Sequence, residues 1–369
     1  MRPVTLFFRD YASLHLLSRH CLIFTLLAIA VCGWRPASAD YTSAGLMQWS
    51  FNYHDTRVPV AIWFPTPEPA SPINAGPFTL VAASDVAMQE TQHPLVIISH
   101  GTGGSNIAHH PVAEALAKNG YMVAALTHPG DNYQDRSLVA DDRYFDERPR
   151  QLAALLAALS ADDKLGPLID RERVGAVGHS AGGYSVAVLV GAVPDRQSLI
   201  DHCSQVNDDP SCSYRDPSIG VTSTTGKPFI LPDVIADTAG ADTADADTAD
   251  TGTLTIRSVA LLAPLGRVID ASSTIDPVVA VKIVSAELDQ VLPHRYHCER
   301  LQQVAQHSDF REAKGAGHFS FIAPIENQWT QQLGEVALDP EGFDRQGFNR
   351  QLGEELSSWF INTLPAAAR

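Results

Sequence analysis

A short apolar run, Arg173-Val-Gly-Ala-Val177, passes straight into Gly178-His-Ser-Ala-Gly182, and the residues from Gly183 to Val193 read as a helix. Few folds satisfy this succession. A serine in so tight a strand-to-helix turn projects its hydroxyl from the end of a sheet, and only small neighbours leave room for the backbone. Gly178 and Gly182 supply that room. A bare G-x-S-x-G recurs in unrelated chains, so its weight here comes from the strand before it and the helix after it. Ser180 is the candidate nucleophile.

A serine of this kind needs an oxyanion hole, a base and an acid. Pro94-Leu-Val-Ile-Ile-Ser99 reads as a buried strand followed by His100-Gly-Thr-Gly-Gly104. Such a loop donates one backbone N–H to an oxyanion, and the residue after the nucleophile donates the other. Those donors are Thr102 and Ala181. The competing reading is an ordinary glycine-rich turn or a phosphate loop, but no G-K-[ST] follows. The base is expected late in the chain. His318 lies in Gly315-Ala-Gly-His-Phe-Ser320, after a short strand. A lone loop histidine is more often a surface residue; its place in the chain order decides for catalysis. The acid lies between them, where the strand Val281-Lys-Ile-Val-Ser285 runs into Glu287-Leu-Asp289. Asp289 is the choice, with Glu287 as runner-up and Asp270 and Asp276 as remoter alternatives. The order Ser180, Asp289, His318 differs from the chymotrypsin and subtilisin orders and matches the α/β-hydrolase order.

These motifs, with Val58-Pro-Val-Ala-Ile-Trp-Phe-Pro65 and Thr127-His-Pro-Gly-Asp-Asn132, resemble a bacterial α/β-hydrolase group called predicted dienelactone hydrolases, which is similar to platelet-activating-factor acetylhydrolases. The resemblance runs from about Leu46 onward and omits the low-complexity insert described below. Dienelactone hydrolases proper use a cysteine nucleophile; a serine at position 180 favours the esterase side of the group. The resemblance implies an α/β-hydrolase fold, a mostly parallel central sheet with helices on both faces.

The first 39 residues stand apart. Arg2, Arg9 and Arg19 precede the apolar run from Cys21 to Val31, and Ala37-Ser-Ala39 offers a small-residue cleavage site. This reads as a secretory signal peptide, residues 1–39, and implies a secreted or periplasmic protein. The run is short for a membrane span, and the alternative is an uncleaved anchor. Cys32 follows the bulky Val31, which argues against a lipoprotein site. Cleavage would remove four arginines and one aspartate. That leaves 22 Lys+Arg (26 less four) against 41 Asp+Glu (42 less one), a formal charge of −19. Such a surface repels nucleic acid and anionic bilayers. Of the remaining cysteines, Cys203 and Cys212 are close in sequence and in polar surroundings, so an oxidising compartment would pair them. Cys298 is left over and expected to be buried.

Along residues 40–369, the expected hydrolase domain, Leu46–Asn52 and Val58–Phe64 read as a hairpin and 65–72 as a proline-rich loop. Strands are expected over 95–99, 122–126, 174–177, 258–262 and 281–285, with a last one near Phe310. Helical patterns cover 111–118, 146–159, 184–193 and 293–306. This alternation implies a mostly parallel sheet with helices on both faces. Residues 195–255 interrupt it as a cap-like insert after the nucleophile helix. Its second part, 236–252, is an acidic Ala-Asp-Thr repeat without aromatics that cannot bury a core. Its spacing lacks the glycine-rich nonapeptide and the EF-hand pattern of calcium sites, which favours a solvated loop. His109-His110 and the pair His294 and His297 lack the spacing of zinc ligands and read as core or helix-surface histidines. His128 and Asp131 follow a strand at its C-terminal end, where such sheets place ligands. Both are candidates for a substrate pocket, as is His179 within the elbow; a turn-stabilising role is the alternative for His128 and Asp131.

The sequence therefore predicts an exported serine hydrolase of carboxylic esters with short to medium acyl groups. It needs no metal or organic cofactor, and its partner is a small-molecule ester, with no nucleic acid and no stable membrane association. A serine peptidase or acyltransferase on the same scaffold shares the acyl-enzyme step and remains open. A non-catalytic binding protein is the third reading.

Overall fold

The central strands are apolar on both sides, and the structure buries both. In the computed structural model, which describes residues 41–139, 141, 143–214 and 254–365, ten strands form one sheet in the order β10-β9-β8-β7-β5-β6-β2-β1-β4-β3. The expected signal peptide (residues 1–39), the acidic repeat and the rest of 215–253 lie outside the described residues. Strands β5 (His93–Ser99), β6 (Met122–Leu126), β7 (Ile169–His179), β8 (Ile256–Leu262), β9 (Ala280–Ala286) and β10 (Asp309–Ala313) run parallel. Side chains alternate between two cores. Leu95 and Ile97 join the face covered by α2 (Tyr144–Ala161), α3 (Ala181–Leu189) and α5 (Cys298–Val304), whereas Val96 and Ile98 join the face covered by α1 (His110–Lys118) and α6 (Arg345–Thr363). Burial on both faces is what lets a parallel sheet read as continuous apolar runs. No helix among the described residues is long and apolar enough to cross a membrane.

The expected hairpin is β1 (Ser43–Tyr53) with β2 (Thr56–Thr66), and β2 pairs antiparallel with β6. A second hairpin, β3 (Ser71–Ala75) with β4 (Phe78–Ser84), was not anticipated and extends the sheet; the loop expected over 65–72 narrows to 67–70, between β2 and β3. Pro72 is tolerated because β3 is the outermost strand. The expected helix over 293–306 shortens to α5, since Pro293 opens a turn that takes the N–H groups of Tyr296 and His297. Helix α6 was not anticipated.

Helix α2 carries Pro149 in its interior. Proline removes the N–H that would bond the carbonyl four residues back, here Phe145. The Tyr184 hydroxyl of α3 donates to that carbonyl at 3.2 Å and offsets the loss. The pairing locks α2 to the helix that follows the serine. The insert opens as α4 (Arg196–Gln205), whose first turn is capped by Asp195 accepting from Ser198 N at 3.0 Å. Cys203 and Cys212 form a disulfide, and Cys298 is free and buried.

Candidate active site

Ser180 sits between β7 and α3 with φ 57°. A non-glycine residue there is strained, and its surroundings hold it. Ser180 N donates to Leu262 O at 2.9 Å, and its own carbonyl accepts from Leu265 N at 3.0 Å. The elbow glycines are sterically required: a Cβ on Gly178 would strike Gly182 O, and one on Gly182 would strike Ser99 O. The turn is thus closed against the ends of β5 and β8.

Ser180 Oγ lies 3.0 Å from His318 Nε2, and His318 Nδ1 lies 2.8 Å from Asp289 Oδ2. A carboxylate only accepts, so Nδ1 carries the proton and Nε2 is free to accept from the serine hydroxyl. The second oxygen of Asp289 accepts from Val291 N at 2.8 Å and Leu292 N at 2.7 Å, which orients the carboxylate from behind. Glu287, two residues earlier, points the other way. It meets Lys314 Nζ at 3.1 Å and accepts from Gly315 N at 2.7 Å. Those two contacts, the backbone N–H first, hold its carboxyl below the usual range. Asp270 accepts from Ser272 N and Asp276 from Val278 N, in turns of their own.

Thr102 and Ala181 flank the serine from two elements. Ala181 opens α3, where first-turn N–H groups have no intrahelical acceptor. Thr102 lies in the loop after β5. Its hydroxyl shares a 2.6 Å hydrogen bond with Tyr144 Oη, and Gly103 beside it has φ 71°. A Cβ on Gly101 would come within 3.1 Å of Ser180 Cβ and 3.3 Å of His179 Nδ1, so this loop is pressed against the elbow.

The pocket candidates are placed differently from expectation. His128 and Asp131 are 0% exposed and so present no surface to a ligand. His128 Nε2 meets Ser99 Oγ at 2.9 Å and its Nδ1 meets Gln151 Oε1 at 2.7 Å. Asp131 accepts from Gly103 N at 2.8 Å and from Arg148 Nη1 at 2.5 Å. Their place after β6 suggested a ligand site, but buried polar partners on α2 draw both side chains inward. The turn-stabilising alternative describes them better. His179 is also buried and faces His318, not open solvent.

Sequence reasoning passed over Arg148, which is completely buried. A signal was available. Arg148 lies on the helical stripe of Leu152, Leu155 and Leu159, and a charge on an apolar stripe calls for a buried partner. His297 and His202 approach Asp209 Oδ2 at 3.4 and 2.7 Å. Cys212 lies close to His202 and Asp209, but its sulfur is used in the bridge to Cys203.

The chain has no match among curated protein sequences. Among solved structures it is similar to a ferulic acid esterase from Streptomyces cinnamoneus, at 16% identity and a TM-score of 0.54, over 90% of this chain and 94% of that one. It is also similar to a carboxylesterase from Lactobacillus plantarum WCFS1, at 12% identity and a TM-score of 0.49, over 86% of this chain and 97% of that one. The alpha/beta hydrolase family profile matches residues 95–327, which contain most of β5, the elbow, Asp289 and His318. The chain belongs to the alpha/beta hydrolase family.

Proposed function

We propose that this protein is a serine hydrolase that cleaves carboxylic esters with short to medium acyl groups, and that Ser180, His318 and Asp289 form its catalytic triad. The observation that carries the reading is the unbroken hydrogen-bonded series from Ser180 Oγ through His318 to Asp289. In the first half-reaction, Ser180 Oγ attacks the acyl carbonyl while His318 Nε2 takes its proton. Collapse of the tetrahedral intermediate breaks the bond to the alkoxide, which receives that proton and leaves as the alcohol. Water then repeats the sequence on the acyl-enzyme, releasing the acid and restoring the serine. Asp289 keeps the proton on Nδ1 and stabilises the imidazolium. The N–H groups of Thr102 and Ala181 hold the oxyanion, each contributing about 3 kcal/mol to the transition state in sites of this kind.

The resemblance to the serine branch of the predicted dienelactone hydrolases, near the platelet-activating-factor acetylhydrolases, supports soluble esters over emulsified fat. The acidic surface points the same way, because it opposes adsorption to anionic lipid. We also propose export, with residues 1–39 removed; the Cys203–Cys212 bridge suits an oxidising compartment. The test is a fluorophosphonate probe followed by p-nitrophenyl esters from acetate to palmitate, a triolein emulsion and matched anilides. Labelling at Ser180 with fastest turnover of the short esters is expected. Preference for anilides would make the enzyme a peptidase, and a rate jump at a lipid interface would make it a lipase.

A further inference from the structure

We propose that Arg148 is a positioning residue, which sets the two N–H donors of the oxyanion hole in register through one buried guanidinium; the proposal rests on the serine-hydrolase reading above. The guanidinium makes contacts in three directions. Nη2 donates to the His100 carbonyl, at the start of the loop that carries Thr102. Nη1 donates to Asp131 Oδ2, and the other oxygen of Asp131 accepts from Gly103 N at 2.8 Å. Arg148 and Asp131 therefore grip the loop on both sides of Gly101 and Thr102. Nε donates to Ser185 Oγ at 3.3 Å, and that hydroxyl donates to Ala181 O at 2.8 Å. The second donor residue is thus tied to the same side chain.

Arg148 does not act from a random position. Tyr144, Arg148 and Gln151 stand at i, i+4 and i+7 on α2, one face of the helix. Tyr144 Oη meets Thr102 Oγ1. Gln151 holds His128 through Nδ1 and the Pro129 carbonyl at 3.1 Å. His128 N in turn donates to His100 Nε2 at 3.1 Å. All three residues of the stripe end on the His100–Gly104 loop or on the segment that braces it.

A buried ion pair is a poor device for stability alone, because apolar residues of similar volume serve as well or better. It is a good device for fixing direction. Gly101 leaves no slack between this loop and Ser180, and a shift of about 1 Å at such a site lowers rates by about 10²-fold.

The experiment compares Arg148→Met and Arg148→Lys with the wild type, each checked for a cooperative melt. Phosphonylation of Ser180 by a fluorophosphonate needs the oxyanion donors whatever the natural substrate, so its second-order rate is the first readout. The second is the split between kcat and KM on p-nitrophenyl acetate, and the third is affinity for a phenylboronic acid. In Arg148→Met the labelling rate and kcat are expected to fall by about 10²–10³, the effect of losing one oxyanion donor. KM should move by less than about threefold. Boronate affinity should weaken in parallel with kcat/KM, and Arg148→Lys should recover about tenfold through a single bond to Asp131. Should Arg148→Met fail to fold, Arg148→Lys alone decides, by its kcat and labelling rate. Folded variants that label and turn over like the wild type, or that lose only KM, would overturn the proposal. Wild-type labelling without ester turnover would instead overturn the ester assignment and leave the Arg148 comparison readable from labelling rates.

Discussion

His179 donates its Nε2–H to the main-chain carbonyl of His318 across 3.0 Å, and the two imidazoles lie 5.1 Å apart. A carbonyl only accepts, so the contact fixes the His179 tautomer. Burial above all, with the imidazoles of His318 and His109 beside it, holds the His179 pKa well below the usual histidine range. His179 therefore tethers the backbone of the proposed base while remaining neutral. His179→Phe keeps a planar ring and strands the carbonyl, a loss of about 1–3 kcal/mol in stability. Its kcat on p-nitrophenyl acetate is expected to fall about tenfold with KM little changed. An unchanged kcat beside a lowered melting temperature would reduce His179 to packing.

The left-handed backbone at Ser180 separates activity from stability. Ser180→Ala and Ser180→Gly both remove the proposed nucleophile, so both should lose fluorophosphonate labelling and several orders of magnitude in kcat. Only glycine relieves φ 57°, a strain of roughly 1–3 kcal/mol. The glycine variant is therefore expected to melt higher than the alanine variant. The reverse order in calorimetry would place the strain elsewhere.

Asp289→Asn places an amide where His318 Nδ1 needs an acceptor. The expected loss in kcat is roughly 10³–10⁴. Glu287→Gln disturbs only an exposed contact with Lys314 and one with Gly315 N, so its kcat should stay within about twofold of wild type. Measured side by side, a larger loss in Glu287→Gln would reassign the acid.

The parts legible in the sequence are those set by local rules. Apolar runs alternating with helical patterns marked the parallel strands, and the elbow was readable because Gly178 and Gly182 admit no side chain. The choice between Glu287 and Asp289 was harder, since both follow β9 closely; it turns on which carboxylate the next turn, with the N–H groups of Val291 and Leu292, can orient. Long-range polar partners were less legible. His128 and Asp131 looked like ligand residues until Gln151 and Arg148, some twenty residues on, appeared beside them. Helix α6 was missed because Gly347 and Gly353 dilute its pattern, although Leu352, Leu356 and Phe360 form its buried stripe. Gly353 is required there by contact: a Cβ would lie 2.7 Å from Ala115 Cβ on α1.

The Cys203–Cys212 bridge closes a short loop at the start of the insert. Reduction should lower stability by roughly 2–3 kcal/mol at most, since so few residues are constrained. Cys298 behaves differently. Burial, then Asp289 and Glu299, pushes its thiol pKa far up. In native protein without reductant, iodoacetamide should modify none of the three cysteines of the described residues, and in denaturant it should modify Cys298 alone. Peptide mapping that finds Cys203 or Cys212 alkylated under those conditions would reject the bridge.

Stability should fall as pH drops from neutrality, and buried histidines set the slope. Burial lowers the pKa of His100 to about 4 and of His109 to about 3, and lowers those of His128 and His179 well below the usual value. These rings stay neutral in the folded chain while their unfolded counterparts take up protons near pH 6.5. Below that value the unfolded state binds more protons, so folding free energy is lost as pH falls. The loss continues until each ring's folded pKa is reached, and each contributes up to about 1.4 kcal/mol per pH unit. His109 offers the sharpest test, because neither of its ring nitrogens has a hydrogen-bond partner among the described residues. His109→Leu removes one titrating ring and strands no partner. Urea titrations of wild type and variant, at about pH 7.5, 6 and 5, should show similar stability at the top of the range and a shallower decline in the variant. Parallel slopes would mean that His109 is charged in the folded protein, or that water enters and satisfies it.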